Sequence, residues 1–156
     1  MDRPAPHRHR LLGFVICGLL LLFLPHLCRA AAPERRLPLG VRAMLAKVGP
    51  LIEQQHYTQA IQLLTKFKAR GGPAPAAGAP DPKGYHHAEI YYTLGTCHLL
   101  QSDFPKATAA FEQALLRAPH HVSAWLNLAK ATYESGHYAR SAECFQAAYD
   151  HSKTKD

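Results

Sequence analysis

The chain has 156 residues, with 18 Lys plus Arg against 11 Asp plus Glu and a net charge of +7. This length admits one modest domain, or a domain with a tail, and excludes a large barrel enzyme or a two-domain nucleotide enzyme. With 47% hydrophobic and 19% charged residues, the composition is not that of a disordered chain.

The first thirty residues read as a targeting segment. Arg3, Arg8 and Arg10 precede an uncharged run from Leu11 to Leu24, and Pro25 then breaks it before the small residues Ala30, Ala31 and Ala32. A basic start, a short apolar core and a small-residue cleavage site are the order of a secretory signal peptide. The core is short for a membrane span, which needs roughly 20 residues. Cleavage after Ala30 or Ala32 is the expectation, and an uncleaved membrane anchor is the alternative. Removing residues 1–30 takes away four basic and one acidic residue, leaving 14 − 10 = +4. No basic cluster remains, so no nucleic-acid partner is expected. Export favours a periplasmic location. The only asparagine, Asn127, is not in a glycosylation sequon, which favours that compartment over a eukaryotic secretory lumen without excluding the lumen.

The remainder is expected to be all-α. From residue 31 onward Ala and Leu number 36, while Val and Ile number six, a balance that suits helices and not sheets. Residues 31–70 carry a helical pattern, clearest at Ile61, Leu64 and Phe67, and Pro50 should kink or end the first stretch. Residues 71–87 are a Gly/Pro/Ala-rich linker. Within 71–84, eight of fourteen positions are Gly or Pro, so this segment should bury little and form a loop. Helices are expected over 89–101, 105–117, 122–135 and 138–151, with Pro105 in a first turn, Pro119 as a stop and Gly136 opening the last turn.

The segments 88–121 and 122–155 align with each other at a period of 34 residues. Leu94 meets Leu128, Phe111 meets Phe145 and Ala114 meets Ala148. The near-matches are Tyr91 with Trp125, Gly95 with Ala129, Phe104 with Tyr138, and Ala107 with Ser141. Small residues recur where two helices approach closely, and large ones where space between them must be filled.

This pattern resembles the tetratricopeptide repeat family. Tyr91, Leu94, Gly95, Ala107, Phe111, Ala114 and Pro119 occupy the family's spaced positions in one unit. Trp125, Leu128, Ala129, Tyr138, Phe145 and Ala148 occupy them in the next, where Lys153 replaces the closing proline. A third, degenerate unit is expected over 41–70. There Tyr57, Ala60 and Leu64 are in phase, but Lys47, Val48 and Phe67 depart from the pattern.

The resemblance implies a short helix-turn-helix solenoid, a non-catalytic scaffold or adaptor that binds a peptide or helix of another protein. By repeat position it assigns a concave groove to Glu89, Tyr92, Thr96 and Leu99 of one unit and Leu126, Asn127, Lys130 and Tyr133 of the next. Tyr92 and Thr96 replace the Lys and Asn of the family's carboxylate clamp, so no such clamp is expected. The last helix should expose some of Ala142, Phe145, Ala148 and Tyr149. That face gives the alternative reading, a membrane-anchored, self-associating subunit.

No cofactor and no metal are expected. His86-His87 and His120-His121 sit at equivalent turns, about 10 Å or more apart by helix-packing distances, and are expected to be solvated. Cys97 and Cys144 read as small packing residues. No G-x-S-x-G elbow or phosphate-binding loop occurs, so no enzymatic activity is expected.

Overall fold

The computed structural model describes residues 37–76 and 78–153. The signal-peptide or anchor reading of residues 1–30 and the start of the 31–70 unit lie outside the described residues. Six helices follow one another: α1 (Leu39–Glu53), α2 (Tyr57–Ala69), α3 (Ala88–Leu100), α4 (Phe104–Arg117), α5 (Val122–Glu134) and α6 (Tyr138–Lys153). They pair as antiparallel hairpins α1–α2, α3–α4 and α5–α6. No strand occurs among the described residues, as the Ala/Leu-rich composition requires. No helix among them is long and apolar enough to cross a membrane.

The three hairpins turn in the same way. Gln55, Ser102 and Gly136 all have positive φ, at 60°, 60° and 79°. The next residue in each turn donates its backbone N–H to a carbonyl five positions back: His56 to Leu51 at 2.7 Å, Asp103 to His98 at 2.9 Å, and His137 to Thr132 at 2.9 Å. Ser102 and Gly136 are 34 residues apart, whereas Gln55 and Ser102 are 47 apart. The front hairpin therefore turns as the other two do. Its 13 additional residues correspond to the Gly/Pro-rich segment between α2 and α3.

Pro50 does not end α1, which runs on to Glu53. The residue lies in the final turn, where losing its N–H removes a single ladder bond and the Pro50 carbonyl still accepts from Gln54 at 3.0 Å. The Gly/Pro segment also differs from expectation at its far end. The described residues of 72–83 hold no helix, but Gly84 and His86 are buried. One Asp81 carboxylate oxygen accepts the backbone N–H of Gly84 and Tyr85 at 2.9 and 3.1 Å, and the other accepts that of His86 at 2.6 Å. This folds the chain back onto α1 and α2. Gly84 lies against Val41 and Pro38, and Tyr85 packs on Phe67 with ring centroids 4.9 Å apart. His86 is not solvated. Its Nδ1 is 2.9 Å from the Tyr91 hydroxyl and its Nε2 is 3.2 Å from the Gly72 carbonyl.

The core forms two clusters. One joins Val41, Val48, Ala60, Leu64 and Phe67 of the front hairpin to Ile90, Leu94 and Cys97 of α3. The other joins Tyr91, Ala107, Phe111, Ala114 and Leu115 to Ala124, Leu128, Ala129, Ala131 and Cys144. In the middle hairpin, Gly95 is what lets α3 lie on α4. A Cβ there would meet the buried Phe111 ring at 2.7 Å. In the last hairpin, Ser141 is buried against α5 and donates its hydroxyl to the Ala129 carbonyl at 2.8 Å.

Gly95→Ala should lower stability by about 1–2 kcal/mol, because overpacking against the Phe111 ring exceeds the gain in helix propensity. Ser102→Gly should raise it by up to about 1 kcal/mol by relieving the left-handed conformation. Urea titrations of both variants, read by helical circular dichroism, check the two signs.

Candidate protein-interaction face

The first helices of the last two hairpins, α3 and α5, are set side by side, each started by a histidine. The His87 Nδ1 accepts the Glu89 N–H at 3.2 Å, and the His121 Nδ1 accepts the Ala124 N–H at 3.2 Å. With Nδ1 acting as acceptor, the proton of the neutral His121 ring lies on Nε2. That atom sits 3.3 Å from a Glu89 carboxylate oxygen, without a well-aligned hydrogen bond. The interaction with His121 holds the Glu89 carboxyl below its ordinary range, against an opposing push from burial.

The Tyr92 ring lies between repeats. Its centroid is 4.7 Å from that of His121 and 6.0 Å from that of Phe111, and its hydroxyl accepts from Asn127 Nδ2 at 3.4 Å. Thr96 turns its hydroxyl back to the Tyr92 carbonyl at 3.0 Å, and Leu99 packs on the core. Five of the eight residues placed in the groove by repeat position are thus half-buried at helix contacts: Glu89, Tyr92, Thr96, Leu99 and Asn127. The other three, Leu126, Lys130 and Tyr133, stand exposed on α5. Tyr133 is 57% exposed and meets Tyr138 edge to face, with centroids 5.2 Å apart.

The residues read as repeat packing also divide. Tyr91, Leu94, Gly95, Ala107, Phe111, Ala114, Leu128, Ala129 and Ala148 are buried. Pro119 is exposed and acts through its carbonyl, which accepts the Trp125 indole N–H at 2.8 Å. Tyr138 and Phe145 do not pack inside. They are 64% and 49% exposed, whereas Phe111, one repeat before Phe145, is fully buried. The difference is what lies above each: α5 covers Phe111, and no described helix covers Phe145. Of the four residues expected on the outer face of the last helix, Ala142, Phe145 and Tyr149 are exposed, but Ala148 is turned inward.

A further concavity does not follow from the repeat alignment. A cavity of about 780 Å³ opens between α4, α5 and α6. Leu115, Leu116, Trp125, Leu128, Cys144 and Ala147 are among its lining residues, and so are the ion-paired Glu112 and Arg140. Leu116 and Ala147 have no role in the repeat pattern; the only sequence signal is that both are apolar positions beyond those the hairpin needs.

Cys97 and Cys144 are free and buried, and burial pushes the Cys97 thiol up to about 11, far from the reactive thiolate. No group of three or more His, Cys, Asp and Glu that could hold a metal occurs among the described residues.

A family model described as Tetratricopeptide repeat matches residues 92–155. Among curated proteins none matches the chain.

Two predictions follow from the buried groups. The His98 side chain is only 12% exposed, and its Nδ1 lies 3.8 Å from an Asp103 oxygen with no hydrogen bond. Burial lowers its pKa, more strongly than Asp103 raises it. A depressed histidine binds protons more readily in the unfolded chain, so its stabilising contribution is present above the unfolded value of ~6.5 and is lost as pH falls. Glu89 is also depressed, and its contribution is lost lower, as pH falls from ~4.3 through its folded value. Melting temperature should therefore fall in two stages on acidification, and His98→Gln should flatten the first. In addition, Cys97 should resist a thiol reagent in the native protein and react on denaturation, which peptide mapping of the modified sites checks.

Proposed function

We propose, from the premise that residues 92–155 belong to the tetratricopeptide repeat family, that the chain is a non-catalytic scaffold whose first-helix face binds a peptide or helix of a partner protein. Proteins built from these repeats generally bind other proteins. The observation that carries the reading here is the division of the α3–α5 face. Glu89, His121, Tyr92 and Asn127 hold the two helices together. Leu126, Lys130 and Tyr133 are left exposed on α5, and they supply an aliphatic, a cationic and an aromatic contact along about two turns of helix. Tyr is a low-entropy anchor at protein interfaces.

Export to the periplasm is part of this proposal. It is supported by the order of basic, apolar and small residues over 1–32. A mature N-terminus near Ala31, measured by intact mass, is the expected result, and retention of residues 1–30 would favour the anchored alternative. That second reading, self-association, is favoured by the exposed apolar face of the last hairpin, where Tyr138, Phe145 and Tyr149 are each about half exposed or more.

The groove is tested with a photo-reactive residue at 126, and the captured partner is then titrated against variants. Lys130→Glu with Tyr133→Ala should weaken binding at least tenfold, while Thr65→Ala, exposed on α2, should leave it unchanged. Equal affinity for all three proteins would place the partner elsewhere. Phe145→Asp should leave the stability within about 0.5 kcal/mol of the wild type, as for an ordinary surface change, and any concentration-dependent dimer seen by light scattering should disappear with it.

A further inference from the structure

Two histidines far apart in sequence converge beside the last repeat. His120 lies in the turn between α4 and α5, and His151 lies in the last turn of α6. Their Nδ1 atoms are 3.1 Å apart and their rings are nearly perpendicular, at 88°. We propose that this pair is a two-histidine site for a divalent transition metal ion of the zinc class, completed by water.

The spacing is the first argument. Two metal–nitrogen bonds of ~2.05 Å, set between a right angle and the tetrahedral angle, place their nitrogens about 2.9–3.3 Å apart. The observed 3.1 Å falls in that interval, so the two nitrogens are already spaced for one ion, and each ring has only to turn its lone pair toward it. In the metal-free pair one Nδ1 carries the proton that the other accepts. On metal binding that proton moves through solvent to Nε2 of the same ring, and both Nδ1 lone pairs become available.

The second argument is that the backbone at His120 and the ring of His151 are held. Pro119 restricts the backbone just before His120, and its carbonyl is fixed by the Trp125 indole at 2.8 Å. Just after His120, the His121 side chain caps α5, and its backbone N–H donates to the Ala118 carbonyl at 3.0 Å. The His151 ring stacks on Trp125, with an interplanar angle of 22° and centroids 6.1 Å apart. His120 is exposed, so an ion reaches the pair from solvent. The equivalent-turn comparison of His86-His87 with His120-His121 does not reveal this site, because the partner of His120 lies on the last helix and not on the preceding turn.

The site joins the α4–α5 turn to the end of α6, so an ion there ties the last helix to the rest of the stack. This does not depend on the scaffold reading. The test is a titration of the untagged full chain with zinc chloride by calorimetry, together with melting temperature with and without zinc. Expected are one saturable site per chain, affinity at least tenfold weaker in His120→Ala and in His151→Ala, and unchanged affinity in His137→Ala. Zinc should raise the melting temperature of the wild type and not that of His120→Ala. His120→Ala carries the test if loss of the Trp125 stack unfolds His151→Ala. No saturable zinc binding, or equal affinity in the wild type and His120→Ala, would overturn the proposal.

Discussion

The closeness of α3 to α4 rests on a missing side chain. Gly95 leaves room for the Phe111 ring, and a Cβ in its place would stand 2.7 Å from a ring atom. With Phe111 seated there, Leu115 and Ala114 reach the same layer, and α5 closes over them with Ala124, Leu128 and Ala131. In the last hairpin the corresponding approach is permitted by Ala129, and Ser141 adds a hydrogen bond to its carbonyl. Small residues opposite large ones are thus the condition for helix pairs that bury an apolar face on their neighbours.

The same stacking rule governs the surface. A residue at a given repeat position is buried or exposed according to whether another helix follows. Phe111 and Phe145 are equivalent by sequence, yet one is fully buried and the other 49% exposed. Tyr92 and Leu126 are equivalent too. Tyr92 is held between α3 and α5 by His121 and Asn127, while Leu126 faces outward. The proposed partner contacts lie on the α5 side of the face because no described first helix follows α5 to cover its outer residues.

Histidine is used here mainly for structure. His87 and His121 start helices, and His86 anchors the end of the Gly/Pro segment to Tyr91. Tyr91 is further enclosed by Lys68 and Arg117, each 4.4 Å from its ring centroid. Burial depresses the Lys68 ammonium, with a further push from Arg117. A loop rich in Gly and Pro is thereby fastened at one end by Asp81, His86 and Tyr85. The Gly/Pro-rich segment between α2 and α3 leaves the two helices packed on each other.

The sequence by itself determined the helical class, the positions of the last four helices and the 34-residue period, because these depend on local propensity, spacing and the size alternation at Gly95, Phe111, Ala129 and Phe145. It also showed a front unit in phase at Tyr57, Ala60 and Leu64. Only the tertiary structure decided that this unit turns as the others do, since the positive φ at Gln55 has no glycine to announce it. It alone decided the fate of His86, the inward turn of Ala148, the division of the groove residues and the meeting of His120 with His151. Each of these depends on which helix lies above a given face and on contacts between distant segments, and neither is encoded in the local pattern.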